Sequence, residues 1–389
     1  SEGGPGSLLL QTQKAVENMT KKQRNANLDL LRIVSMLLIV FLHSIDHSGV
    51  LENALGYGRA MHLYVRFTYA LCMVCVNIYI MLSGYFMVSS KFRLQKLVTL
   101  WMEAAFYSFV LKLIFMLTGQ DDFSIVSLVS CFVPILTGRY WFLTIYVGMY
   151  LVSPFLNTLI RAMDKRQHTL LNVVLFAVMS VWVSVHPSIA GMNSGGGWGL
   201  AWFVTLYITA SWLRLYYTPD NKPLPWFVGF AAIPAGMALV FCLAVWGYLP
   251  GIFATVTGHW YRYDSAPVYL MTMCLFVGFL NVRIPSGKLS RSIVRVAPLT
   301  LGVYLIHAHA NVSPWSWAVL DLPAKMASPM FPLIQLGAVV GIFVLCAALD
   351  AVRSTLFAPL EQGRGLHRLC RLLEAGASAC FDKIISGSN

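Results

Sequence analysis

Charge is what this sequence has least of. Asp, Glu, Lys and Arg make up 11% of its 389 residues, where a soluble domain carries roughly 25%. A soluble fold this poor in charge could not cover its surface with polar groups, so that class is excluded. Acidic residues are the scarcer sign, 16 against 28 basic ones. No glycine-rich nucleotide fingerprint follows a strand-like segment. The eight cysteines do not read as a disulfide framework. Cys72, Cys75, Cys131, Cys242, Cys274 and Cys346 lie in apolar runs, where a thiol serves as a small hydrophobe. Cys72 and Cys75 have redox or zinc spacing, but neither a second pair nor a His partner follows, and no metal is expected.

Hydrophobic sequence is what the chain has in abundance, 58% of it, gathered in runs near 20 residues. At about 1.5 Å per residue such a run crosses a hydrocarbon core of about 30 Å. Ten segments qualify: 30–48, 66–88, 97–118, 140–160, 169–187, 198–217, 225–248, 266–282, 296–312 and 331–353. The expected fold is an all-α, polytopic transmembrane helical bundle of about ten spans. A further stretch, 124–138, contains Pro134 and is too short to span comfortably; it reads as re-entrant or interfacial.

The net charge of +12 is then a question of sidedness, because Lys and Arg collect in cytoplasmic loops. With the N-terminus inside, 21 of the 28 basic residues fall on the inner side and five on the outer; Arg32 and Lys112 lie within spans. Both termini are therefore expected to be cytoplasmic, and nucleic acid is not needed to explain the charge. Residues 1–26 form a cytoplasmic N-terminal segment that reads in part as an expression tag, with Met19 as a start. No cleavable signal peptide is expected, since the first apolar run is already a full span. Residues 27–355 form the membrane domain, and 356–389 a basic amphipathic cytoplasmic tail. Within the tail, 359–385 suits a helix on the inner leaflet or a cap against the bundle.

Ionisable groups at membrane depth are costly and mark function. Well inside the first span lie Arg32 and His43, eleven residues apart. That spacing is about 16 Å of rise and about 20° of rotation, so both face one way. A cation on the inner side and a titratable imidazole on the outer, along one wall, suit a tunnel for a long donor. Arg32 also has the plainer reading of snorkelling to inner headgroups, and His43 that of a hydrogen-bonded packing residue.

Asn27-Leu28-Asp29-x-x-Arg32 followed by His43 resembles the first helix of the acyltransferase-3 family of bacterial membrane proteins. Ser83-Gly84-Tyr85-Phe86 is similar to the Ser-Gly-aromatic close of that family's second span. Arg93-x-x-Lys96 stands where members usually carry Arg-x-x-Arg. Tyr140-Trp141-Phe142-Leu143 with Ser153-Pro154-Phe155 resembles the fourth-span region, and Tyr304-Leu305-Ile306-His307 the late Tyr-Leu-x-His element. The resemblance covers residues 27–355.

It implies a multi-pass enzyme of the bacterial inner membrane, with the O-acetyltransferases of enterobacterial common antigen and O-antigen as the nearest group. It implies transfer of an acyl group, commonly acetyl, from cytoplasmic acyl-CoA to a hydroxyl of a surface or lipid-linked saccharide outside. Acyl-CoA is then a donor substrate, and no cofactor is bound. Some relatives carry an additional SGNH hydrolase-like domain. With no room for one after residue 355, the chain is expected to complete the transfer or hand the acyl group to another protein.

The chemistry assigns candidates. An O-acyl transfer needs a base near neutral pH, and His43 suits that role or that of a transient acyl carrier. Asp46, three residues on, either orients the ring or is a solvated helix-end carboxylate. His307 lies at comparable depth and either orients the acceptor, stabilises the oxyanion or packs. Arg93 and Lys96, with Arg32 above them, suit the donor's phosphates, although inner-side charge predicts the same residues. Trp141 and Tyr304 fall near the site as acceptor contacts or packing, and most outer aromatics read as an interfacial belt. Asn193-Ser194-Gly195-Gly196-Gly197 reads as a lid or a plain connector. A reading from another class, a secondary transporter or lipid-linked saccharide flippase, fits the spans and intramembrane charges, but no convincing internal repeat supports it.

Overall fold

The structure, a computed structural model, describes residues 26–185, 195–361, 363, 365–366 and 368–376; every regular element among them is helical. Ten helices carry the bundle: α1 (Ala26–Asp46), α2 (Arg59–Met87), α3 (Leu94–Leu117), α4 (Trp141–Ala162), α5 (Lys165–Val185), α6 (Leu200–Tyr216), α7 (Leu224–Val245), α8 (Ala266–Leu280), α9 (Lys288–His307) and α10 (Phe331–Glu361). Each expected segment falls on one of them. Eight are long and apolar enough to cross a membrane on their own, while α6, with 17 residues, and α8, with 15, are shorter. The N-terminal segment through residue 25, Asn193 and Ser194 of the glycine-rich loop, Arg364, and residues 377–389 lie outside the described residues.

Helix ends follow local chemistry. Asp164 opens α5 with a capping box, its Oδ1 accepting from Gln167 N at 2.7 Å while Gln167 Oε1 accepts from Asp164 N at 3.0 Å. Such a cap contributes about 1 kcal/mol. Ser265 caps α8, with Pro267 in its first turn where the missing N–H costs nothing. Two helices start earlier than their apolar runs. α2 begins at Arg59 because Arg59 lies over the Trp246 and Tyr248 rings and Arg66 over Phe241 and Tyr261, which accommodates both cations on the helix. α9 begins at Lys288, in a polar first half whose Lys288, Arg291 and Arg295 remain exposed.

α1 runs through the middle of the bundle, against α2, α8, α9 and α10. α2 breaks at Met73–Val74, between helical stretches ending at Cys72 and restarting at Cys75. Past the break, Asn77 donates to Tyr263 O (2.8 Å) and accepts from Trp202 Nε1 (3.0 Å), joining α2 to α6 and the loop before α8. Gly84 lets α2 approach α6 closely: a Cβ there would stand 2.9 Å from Tyr207 Cα. Gly302 on α9 does the same against α10, where a Cβ would lie 2.1 Å from Asp350 Cγ.

Asp350 belongs to a buried ionic cluster. Arg353 bonds Asp350 (2.7 Å), Glu361 (2.7 Å) and Glu103 (3.2 Å), and Tyr107 donates to Asp350 at 2.8 Å. Glu103 of α3 thus pairs with α10, and Lys112 of α3 pairs with Asp121 in the loop beyond it. The 124–138 stretch is a short helix, Ile125–Ser130, followed by turns, with Val126 and Leu136 outward at 81% and 85% exposure. In the tail, residues 368–376 are helical, and Glu374 Oε1 accepts from Leu94 N at 2.5 Å, fastening that helix to the start of α3.

Candidate functional site

Along α1, Arg32, Met36, Ile39, His43 and Asp46 fall at steps of four, three, four and three residues, one continuous stripe. All five line a central cavity of about 430 Å³. Its other walls carry Tyr79 and Ser83 of α2, Trp141, Phe142 and Tyr146 of α4, and Thr300 and Tyr304 of α9, with Trp198, Tyr263 and Arg139 from the loops. Ser35, beside this stripe, holds α1 to α2 by donating to Cys75 O at 2.6 Å at the α2 break. Tyr79 donates to Arg32 O at 3.3 Å.

His43 meets His307 of α9, with His307 Nε2 and His43 Nδ1 3.1 Å apart. His307 Nδ1 lies 2.6 Å from Val303 O. A carbonyl only accepts, so His307 Nδ1 carries a proton, and in the neutral ring the lone pair is on Nε2. His43 Nδ1 must then donate to His307, which leaves the lone pair of neutral His43 on Nε2. That atom has no hydrogen-bond partner among the described residues, and the half-buried ring lines the cavity. His47 stacks on His43 with centroids 4.3 Å apart and meets Ser313 Oγ at 3.3 Å. Asp46 makes no hydrogen bond to His43; its carboxylate lies 3.9 Å from His47 Nε2. The group that orients His43 is His307, brought from α9.

Two further cavities adjoin the central one. A space of about 440 Å³ is lined by Arg93, Gln95, Lys96, Thr99 and Glu103, and shares Leu100 and Leu301 with the central cavity. A third, about 340 Å³, is lined by Tyr69, Met73, Gly195, Gly196, Tyr261 and Arg262, and shares Leu42, Asp46, Trp198 and Tyr263 with it. The three follow one another along the bundle, with Arg93 and Lys96 at one end, Arg32 and His43 on the central wall, and aromatics at the other end. Trp141 and Trp198 rings lie 4.3 Å apart, and Trp198 and Tyr263 rings 5.9 Å apart, where the central and third cavities meet. Tyr304 packs against Phe142 and Tyr140 at 5.8 Å each. Arg32 pairs with Asp29 at 3.3 Å and keeps 27% of its side chain exposed. Among the described residues no group of three His, Cys, Asp or Glu side chains is placed to hold a metal ion.

A family model described as an acyltransferase domain matches residues 25–351. The chain belongs to the acyltransferase-3 family. Searches of curated proteins and of solved structures return no match. The family match extends from the start of α1 into α10, so all three cavities are built within the acyltransferase-3 domain. The protein is a multi-pass membrane acyltransferase.

The candidates named from sequence all reach the acyltransferase cavities except His307, which stands behind His43. His47, Arg139, Tyr79 and Tyr263 also line the central cavity and were not singled out. For His47 a signal existed, since it lies four residues after His43 on one helix. Arg139 read as one of five outer-side cations. Nothing local distinguished Tyr79 or Tyr263 from the surrounding aromatics.

Proposed function

We propose that this acyltransferase moves an acetyl group from cytoplasmic acetyl-CoA to a hydroxyl of a surface or lipid-linked saccharide at the outer face of the bacterial inner membrane. The observation that carries this reading is His43 on the wall of the central cavity, backed by His307, with the cavity of Arg93 and Lys96 adjoining. In this reading the Arg93 end faces the cytoplasm, in keeping with the excess of basic residues on that side. Arg93 and Lys96 hold the phosphates of the donor. The pantetheine arm passes Leu100 and Leu301 into the central cavity and runs along the Arg32–His43 stripe. The acceptor enters from the opposite side, past Trp198 and Tyr263.

His43 Nε2 takes the proton of the acceptor hydroxyl, and the oxygen attacks the thioester carbonyl carbon. The tetrahedral intermediate collapses by breaking its C–S bond. The departing CoA thiolate takes the proton from His43 Nε2, which returns to its starting form. Throughout, His307 Nε2 accepts from His43 Nδ1, fixes the tautomer and stabilises the transient imidazolium, a role of the kind a carboxylate plays in a hydrolase triad. Asp46 and His47 lie on the acceptor's route, and Trp141 and Tyr304 form apolar walls against which the acyl group and a sugar ring rest.

The test is radiolabelling from [14C]acetyl-CoA in membranes, with glycan products separated by chromatography. His43→Ala abolishes label transfer while the purified protein keeps its melting temperature in detergent; retained transfer overturns the assignment. Acetyl-CoA also raises that melting temperature in the wild type. Stabilisation by a saccharide or an ion alone, with none by acetyl-CoA, would favour a transporter or flippase.

A further inference from the structure

The 124–138 stretch, too short to span, has an assignable job. Its short helix Ile125–Ser130 is capped by Ser124, whose side chain accepts from Ser127 N. At the other end of that helix Ser127 O, which also accepts from Ser130 Oγ (2.7 Å), and Ser130 Oγ both face Arg139. Arg139 Nη2 donates to Ser127 O (3.2 Å) and to Ser130 Oγ (2.7 Å). The last carbonyls of a helix lack intrahelical partners and attract cations. The guanidinium is thereby fixed from one side only. Its Nε–H is buried with no partner, and no carboxylate lies within ion-pair distance of it among the described residues. This residue lines the central cavity.

Arg139 sits far from the donor's expected anchor. It precedes α4, whose Tyr150 hydroxyl accepts from Arg93 N at 3.0 Å; Trp141 and Tyr150 are separated by about 13 Å of helix rise. Its neighbour Tyr140 donates to Leu305 O at 2.9 Å, two residues before His307. Phosphates held at Arg93 and Lys96 therefore leave Arg139 unoccupied, at the end of the cavity that the third cavity joins.

We propose that Arg139 is the anion-binding residue of the central cavity and that the acyl acceptor carries an acidic group, carboxylate or phosphate, near the hydroxyl that is acylated. This rests on the acyl-transfer reading above. Nη1, which bonds no described residue, is the free end of the guanidinium and offers a charge-assisted hydrogen bond to one oxygen of such a group. The short helix is the bracket that holds the cation at the cavity wall, and binding an acidic substituent there turns the neighbouring hydroxyl toward His43.

The experiment uses the full chain in detergent and two probes, methyl β-D-glucuronide and methyl β-D-glucoside. Trp141 lies two residues from Arg139 in the same cavity, so intrinsic fluorescence reads occupancy without donor or chemistry. The wild type binds the glucuronide at least about 10-fold more tightly than the glucoside, a charge-assisted pair's worth. Arg139→Gln removes that preference, and Arg139→Lys keeps part of it. In transfer assays with acetyl-CoA the Arg139→Gln defect falls on KM for the acidic acceptor. Equal binding of both probes by the wild type, an undiminished preference in Arg139→Gln, or a defect confined to kcat overturns the proposal. Failure of the acyl-transfer reading shows separately, as no CoA release from acetyl-CoA with either acceptor, while the fluorescence preference still reports on Arg139.

Discussion

His307 uses its two ring nitrogens for different partners, and that division decides where the proton on His43 lies. With Val303 O fixing Nδ1–H and His43 Nδ1 meeting Nε2, the chain of donors has one direction. In the proposed reaction His307 is therefore a positioning residue, and its removal frees the His43 tautomer. His307→Ala is expected to lower kcat for acetyl transfer on the order of 10²-fold, within the range of general-base contributions. His307→Gln, whose amide oxygen can accept from His43 Nδ1, restores part of the loss, and a merely structural role would show no such rescue. The pH–rate profile of the alanine variant should also shift, because the His43 imidazolium loses its neighbour's lone pair; an unchanged profile argues against the pairing. Arg32 and His43 were legible in sequence because ionisable groups stand out in an apolar run of known period. The His43–His307 contact was not. It closes over 264 residues, and no local pattern states which helix meets α1. The three-residue step to Asp46 suggested a nearer orienting group, but Asp46 faces His47 and the cavity.

At the scale of elements, apolar runs located all ten helices, while their ends followed chemistry the runs do not carry. Cations over aromatic rings extend α2 back to Arg59, and a polar half-helix precedes the apolar half of α9. Helix spacing was equally hidden, because it depends on which glycine meets which partner. Gly302 stands against the Asp350 side chain, in the cluster where one guanidinium serves three carboxylates. Gly302→Ala is predicted to push α9 from α10 and destabilise the protein by about 1–3 kcal/mol from overpacking alone. Displacing Asp350 from Arg353 would add to this, since a buried charge without its partner is costly. Gly337→Ala and Gly341→Ala on α10 meet open space in the chain and serve as controls. Melting temperatures in one detergent compare the three variants. A Gly302→Ala value equal to the controls would show that the contact does not constrain the helices.

At the scale of the molecule, the bundle is a wall around three joined cavities, and its low charge content makes each buried polar group matter. One such group lies just beyond α9. His309 Nδ1 accepts from Asn311 N at 3.2 Å, and the imidazole is enclosed near Lys112, Arg139 and Asp121. Burial pushes its pKa from the ordinary 6.5 to about 4, with Arg139 and Lys112 acting in the same sense and the nearby Ser108 backbone and Asp121 opposing. The folded pKa is the lower one, so between those values the unfolded chain binds a proton that the folded chain does not. Stability from this group is then fully present above about pH 6.5 and is lost as pH falls toward 4. Asp121, held below its usual carboxylate range by Lys112 and Asn311, titrates below that window. Replacing His309 with Gln, which carries no titrating proton, is expected to flatten the acid limb of the melting-temperature profile between pH 6.5 and 4 while leaving the region below 4 to carboxylates such as Asp121. An unchanged slope in that window would assign the acid limb to other groups and leave His309 without a part in it.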